Sequence, residues 1–346
     1  MIISQTPLRI SFFGGGSDLP EYYRRNGGAV LSTAIEHSVY ITVSRKFDDA
    51  VRVSYSRTEE VSNSSQVKHP LVRECLRLLE IPGGVEITSV ADIPAKGTGL
   101  GSSSSFTVGL LNALHAYCER HASAARLAEE SCYIEMERCG EPIGKQDQYA
   151  AAFGGFNFIR FNTDDTVEVS KVLLTGEAVH ELQSRLLLFY TGITRSASAV
   201  LREQSAKLRD EKQNLNVMDR MVAIAKSIYS DIQSNCLDSF GAALHESWQL
   251  KKQLANGISN KAIEQVYQAA AAAGAEGGKL LGAGGGGFLL FVVPAKHHKA
   301  VRQALYKLRE TQFRFASQGS RIIFIHDSMA RFMRHETRTP SISRAV

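Results

Sequence analysis

A chain of 346 residues with 44% hydrophobic and 22% charged residues has the make-up of a soluble globular protein, and its length allows two domains. The formal charge of +5 comes from 40 Lys and Arg residues spread along the chain, which argues against a dedicated nucleic-acid binder and suits a small anion such as a phosphate ester. Five cysteines without a CxxC pair argue against a disulfide framework, and no apolar run approaches the length of a bilayer span. Met1 to Ile10 lacks the apolar core of a signal peptide, so the cytoplasm is the expected compartment.

In chain order, Val30 to Phe47 and Val51 to Tyr55 are rich in β-branched residues and predict strands. Pro70 opens a short helix whose apolar residues Val72, Cys75, Leu76 and Leu79 share one face. Gly84 to Val90 alternates as a strand, and a loop from Gly97 to Ser105 then runs into an apolar helix, Phe106 to Tyr117. Ser123 caps a helix expected to reach about Cys139, and a short helix near Gln146 to Ala152 stops at Gly154-Gly155. Phe156 to Phe161 and Leu186 to Tyr190 read as strands on either side of a polar stretch. A domain boundary is expected there, between about 165 and 185, giving units 1–175 and 185–335. The second unit is helical from Ser196 to Ala273. A glycine run then leads into the strand Phe288 to Val293, and a last helix and the strand Arg321 to His326 come after it, with a loosely held tail after about Arg334.

The loop Pro94-Ala95-Lys96-Gly97-Thr98-Gly99-Leu100-Gly101-Ser102-Ser103-Ser104-Ser105 carries the most chemistry. Alternating glycines let the main chain curl without a Cβ in the way, and the following helix points its free N–H groups and positive dipole end into the curl. Such a bend suits a polyphosphate, and the serine hydroxyls are hard donors for phosphate or Mg²⁺. The spacing is neither a Walker A loop nor a Rossmann fingerprint. The second run, Gly282 to Gly287, satisfies GxGxxG but precedes a strand, so the dinucleotide reading fails on context. It has more glycines than a turn needs, which favours close main-chain packing against a ligand or against the first loop.

These loops, with Pro7 to Asp18 and Lys279 to Phe288, occur in the order of the three GHMP kinase motifs, and the chain resembles that family to about residue 330. Three stretches are similar to the branch that phosphorylates a heptose 7-phosphate at its anomeric hydroxyl: Gly14 to Pro20, Gly144 to Tyr149, and Tyr190 to Arg195. The resemblance implies an α+β fold: an N-terminal unit like the second domain of ribosomal protein S5 and a C-terminal ferredoxin-like sandwich. It also implies ATP and Mg²⁺ as cofactors and a sugar phosphate as the small-molecule partner. Neither nucleic acid nor membrane is expected, and a homodimer is compatible with the family.

Residue by residue, the resemblance makes Asp147 the catalytic aspartate and Arg9 the cation beside it. Gly97, Gly99, Leu100, Gly101 and Ser102 to Ser105 hold the nucleotide's phosphates. Ser103 and Glu137 hold magnesium, with Glu135 or Glu141 as alternatives for the carboxylate. Asp18 binds sugar hydroxyls. Gly15 and Gly16 replace the Glu-His pair of galactokinases and leave room for a bulkier sugar. Lys145 and Arg195 are nominated for the substrate's own phosphate, and Gly284 and Gly285 for close approach to the substrate. The rivals are a kinase of the same fold acting on fucose or mevalonate, and a non-catalytic sugar and nucleotide sensor.

Overall fold

The computed structural model describes residues 1–93, 97–193, 197–210 and 212–326. It begins with strand β1 (Ile2–Phe13), helix α1 (Pro20–Asn26) and the long strand β2 (Gly28–Arg45), then β3 (Val51–Ser54) and β4 (Thr58–Val61). Helix α2 (Pro70–Leu78), strand β5 (Val85–Ala91), helix α3 (Ser102–Tyr117), helix α4 (Ala124–Cys132), helix α5 (Gln146–Phe153) and strand β6 (Phe156–Phe161) follow. Next come β7 (Val167–Lys171), α6 (Gly176–Ser184) and β8 (Leu186–Tyr190). The helices α7 (Ala197–Asp210), α8 (Lys212–Gln233), α9 (Phe240–Lys251) and α10 (Lys261–Ala272) form the next block. The rest is β9 (Gly277–Leu280), β10 (Phe288–Val292), α11 (His298–Ala304), β11 (Arg309–Glu310) and β12 (Arg321–Ile325).

An eight-stranded sheet runs β12-β1-β2-β5-β3-β4, with β6 on the first half of β2 and β7 on β6. A four-stranded antiparallel sheet runs β11-β8-β10-β9. Strand β1 is a pillar of the molecule, yet its sequence hides it. From Leu8 onward both faces are buried, so no alternation shows, and Pro7 stands beside a register shift where the missing N–H is tolerated. Phe12 and Phe13, near its end, meet the ring of Phe240 on α9 edge-on at 5.2 and 5.1 Å, so β1 and the second helical block share one core.

Three local signals work as their chemistry requires. Pro70 starts α2, which buries Val72, Cys75 and Leu76. The Ser123 hydroxyl accepts the Arg126 N–H at the start of α4. Gly154 ends α5 at φ +58°. Helix α4 stops at Cys132, however, and a π-helical turn, Tyr133–Arg138, takes over. Helix α3 starts at Ser102, four residues earlier than the apolar spacing indicates. Strand β12 pairs with β1 antiparallel, Ile2 opposite Ile325, so the last described strand lies in the first sheet although the sequence groups it with the second unit. The reason is that β1, lined by β2 on one side only, offers it a free edge. The tail after Arg334 lies outside the described residues. Among the described residues no helix is long and apolar enough to cross a membrane.

Candidate active site

The centre of the site is a forked ion pair. Arg9 sends Nε to Asp147 Oδ1 at 2.8 Å and Nη2 to Oδ2 at 2.7 Å, while Nη1 donates to the Gly99 carbonyl at 2.6 Å. The Arg9 backbone N–H donates to the Leu100 carbonyl at 3.0 Å, so β1 fixes both ends of this residue against the loop. Two parallel charge-assisted bonds hold a carboxylate plane as well as its position. The Arg9 side chain is 4% exposed and that of Asp147 25%, so the carboxylate is the member that faces the cleft. Asp147 stands in the first turn of α5, where the helix dipole favours negative charge.

The loop above this pair is built as its glycines suggest. Gly97, Gly99 and Gly101 all have φ between +70° and +78°, the left-handed region that other residues avoid. A Cβ on Gly101 would stand 3.1 Å from Arg9 Cγ, so the bend lies directly against the arginine. The serines divide into two classes, which corrects the expectation that all four face phosphate. Ser104 and Ser105 are buried and donate to Glu135 Oε2 and to the Pro7 carbonyl, each at 2.8 Å. Ser103 is exposed at the mouth of α3, and Ser102 is half-buried beside it. Leu100 is fully buried, leaving only its main chain for this region.

The expected magnesium carboxylate also shifts. Glu137 is exposed and turned away from the loop, whereas Glu135 is buried and accepts bonds from Ser104, from Thr107 Oγ1 at 2.6 Å and from Gln148 Nε2. The cause is the π-helical turn at 133–138, whose wider winding moves side chains off the α-helical spacing. Burial pushes the Glu135 carboxyl up to about 7, against the pull of these three donors. Glu141 accepts the Ser198 hydroxyl at 3.1 Å. Among the described residues no three His, Cys, Asp or Glu side chains gather to hold a metal.

Asp18 is brought next to Asp147 but is 2% exposed. Its Oδ1 accepts the Gly16 N–H at 2.9 Å and Gln146 Nε2 at 3.0 Å, and its Oδ2 accepts the Gln146 N–H at 3.1 Å. Burial raises its pKa, and the neighbouring charge of Asp147 acts in the same direction. The structure thus gives Asp18 the job of fixing Gln146, whose Oε1 also accepts from Ser11 at 2.8 Å. The space expected at Gly16 is filled, since a Cβ there would collide with Gln204 on α7 and press on Met218 of α8 at 3.1 Å. Gly15 is looser, with Ser11 Oγ at 3.3 Å from such a Cβ.

The other expected substrate contacts fare differently. Lys145 is held by the Asp165 carbonyl at 3.0 Å and lies 4.9 Å over the Tyr23 ring, so it is tethered beside Gln146 rather than free to reach. Gly284 and Gly285 pack on the chain itself. A Cβ on Gly284 would stand 2.6 Å from Ile258 Cα, and the Gly285 N–H donates to the Ile258 carbonyl at 2.9 Å. Arg195 lies outside the described residues. Two buried lysines near the fork, Lys251 and Lys279, stand out in no charge pattern of the sequence, although Lys279 opens the third motif. Lys279 Nζ donates to the carbonyls of Ser11 and Phe12 at 2.8 and 2.7 Å.

A main-chain anion bend at a helix mouth, with a fork-held carboxylate below it, is the equipment of a phosphoryl-transfer enzyme. Residues 70–155 match the model of the GHMP kinases N terminal domain and residues 228–312 that of the GHMP kinases C terminal domain. The chain is 30% identical over 284 residues to the D-glycero-alpha-D-manno-heptose 7-phosphate kinase of Campylobacter jejuni, covering 78% of this chain and 82% of that enzyme. It is 27% identical over 303 residues to the L-fucokinase/L-fucose-1-P guanylyltransferase of Bacteroides fragilis, covering 77% of this chain but only 32% of that longer protein. The crystal structure of a D-glycero-D-manno-heptose 1-phosphate kinase from Bacteroides thetaiotaomicron superimposes with a TM-score of 0.78 at 26% identity, over 94% of this chain and all of that one. The protein belongs to the GHMP kinases and has their fold. It is a phosphate-transferring sugar kinase.

Proposed function

We propose that the protein transfers the γ-phosphoryl group of ATP to the anomeric hydroxyl of D-glycero-α-D-manno-heptose 7-phosphate, giving the 1,7-bisphosphate. The step would serve nucleotide-activated heptose for surface and capsule polysaccharide, in the cytoplasm. The observation that carries the reading is the Arg9–Asp147 fork beneath the Gly97–Ser103 bend. The kinship with the Campylobacter jejuni heptose kinase over most of both chains supports the sugar.

Phosphoryl transfer demands alignment and charge compensation more than covalent work by the protein. Asp147 accepts the proton of the attacking hydroxyl, its two oxygens held in plane by Arg9. An anomeric hydroxyl is more acidic than other sugar hydroxyls, so a partly exposed carboxylate is base enough. The Arg9 guanidinium offsets charge growing on the transferred group. The bend and the first turn of α3 receive the nucleotide's phosphates through main-chain N–H groups and the Ser103 hydroxyl. Ser103 and Glu135 are hard oxygen donors of the kind Mg²⁺ prefers, and the buried Glu135 has only neutral donors around its carboxylate, so they fit this ion. A bound Mg²⁺ would neutralise phosphate charge. Asp18 and Gln146 form the sugar-facing wall, with Gly15 and Lys145 at its edge.

The test is ADP release with heptose 7-phosphate, L-fucose, galactose and mevalonate as acceptors. Turnover should favour the heptose phosphate by about 10²-fold or more, since a site built for a polar group rejects acceptors that lack it. Preference for L-fucose would replace the substrate, and no release with any acceptor would overturn the reading.

A further inference from the structure

Lys251, the last residue of α9, is 6% exposed and forms no ion pair among the described residues. Its ammonium has one hydrogen-bond partner there, the Gly282 carbonyl. Gly282, at φ +75°, lies back to back with Gly99: a Cβ on either would collide with the other segment's main chain. The Gly99 carbonyl in turn accepts Arg9 Nη1 at 2.6 Å, and the other two Arg9 donors hold Asp147. An unbroken series of contacts thus runs from α9 to the carboxylate of α5. The charged groups facing Lys251 are Arg9 of β1, Asp18 beyond β1, Asp147 of α5 and Lys279 of β9.

We infer that Lys251 is a positioning residue for phosphoryl transfer, pinning Gly282 so that Gly99 carries Arg9 in line with Asp147, and placing a second cation behind that fork. The inference rests on the kinase reading above. Lys279 makes the contrast. It has two carbonyl partners and ties β9 to β1, away from the Gly99 contact. Burial, reinforced by Arg9, pushes the Lys251 ammonium down to about 8, while Asp18 and Asp147 pull the other way. Its charge is therefore lost within a pH range in which a kinase can be assayed.

The full-length protein is assayed for ADP release from pH 6 to 9 with saturating ATP and heptose 7-phosphate. In Lys251→Met, kcat should fall on the order of 10²-fold, the scale of a small misplacement of reacting groups, with KM for ATP changed by less than about threefold. The wild-type decline in rate near pH 8 should vanish in this variant, while the melting temperature holds or rises because a buried ammonium without a counter-ion is removed. Lys251→Arg, which keeps a charge that does not titrate, should recover kcat to within roughly tenfold and also lack the decline. Wild-type kcat with an unchanged alkaline decline in Lys251→Met overturns the inference. So does a low kcat that comes with a lower melting temperature and an unchanged decline, or an inactive Lys251→Arg that folds. Wild-type protein that releases no ADP on any acceptor defeats the kinase reading instead.

Discussion

Two glycine-rich segments meet back to back in this molecule, and their main chains have opposite duties. The segment Gly97 to Ser105 runs into α3 and leaves the helix mouth, with Ser103, open to solvent. The segment Gly282 to Gly287 runs into β10, and the chain itself uses its polar groups. The Gly285 N–H goes to Ile258, the Gly287 N–H goes to the Ile193 carbonyl at 2.8 Å, and the Gly287 carbonyl accepts from Thr191. In the first, the missing side chains bare the backbone to a ligand. In the second they let backbone touch backbone. Both segments are rich in glycine, and the element after the glycines, helix or strand, decides between the two uses.

The largest expected effect tests the chemical end of the first segment. Asp147→Asn should lower kcat by roughly 10²- to 10⁴-fold while nucleotide affinity is kept, checked by ADP release and by direct titration with ATP. Loss of ATP binding in this variant would mean that the two parts of the site are not separable. Next comes the packed segment. Gly282→Ala drives a Cβ into Gly99 and should destabilise the fold by about 3 kcal/mol, read from the urea midpoint. Gly192→Ala is the control, with φ +73° but no atom within 4 Å of the new Cβ, and should cost only about 1 kcal/mol. Equal losses would erase the distinction between strain and collision. The smallest effect separates the serines. Ser105→Ala removes a buried bond to Pro7 and should cost about 1 kcal/mol of stability with activity retained. Ser103→Ala should leave the melting curve unchanged and lower kcat/KM for ATP by roughly tenfold.

Much of this was legible in the residues. The strands Phe156–Phe161 and Leu186–Tyr190 agree to the residue with the apolar runs, and the motif order placed Arg9 and Asp147 in one site before any distance was known. The parts that stayed hidden have identifiable causes. Strand β1 is buried on both faces beyond Leu8, so it has no alternation to read. Glu135 was passed over for Glu137 because spacing arguments assume α-helical winding, and the chain winds wider there. Ser104 and Ser105 are indistinguishable from Ser103 in composition, and only the rotation of α3 turns them inward. Lys251 belongs to no pattern at all. Its position depends on α9 meeting a glycine run about thirty residues later, a purely tertiary event.

The pairing of β12 with β1 has a consequence for how the protein is made. Residues 314–320 return across the molecule, bonding Ala316 to Ala34 and Gly155, and Ser320 to Ala151 at the end of the helix that bears Asp147. A ribosome releasing this chain would therefore have synthesised its last strand before the first could acquire its outer neighbour. Until then β1 exposes an unsatisfied edge, and the nascent protein depends on late-arriving residues to complete the support of its catalytic helix.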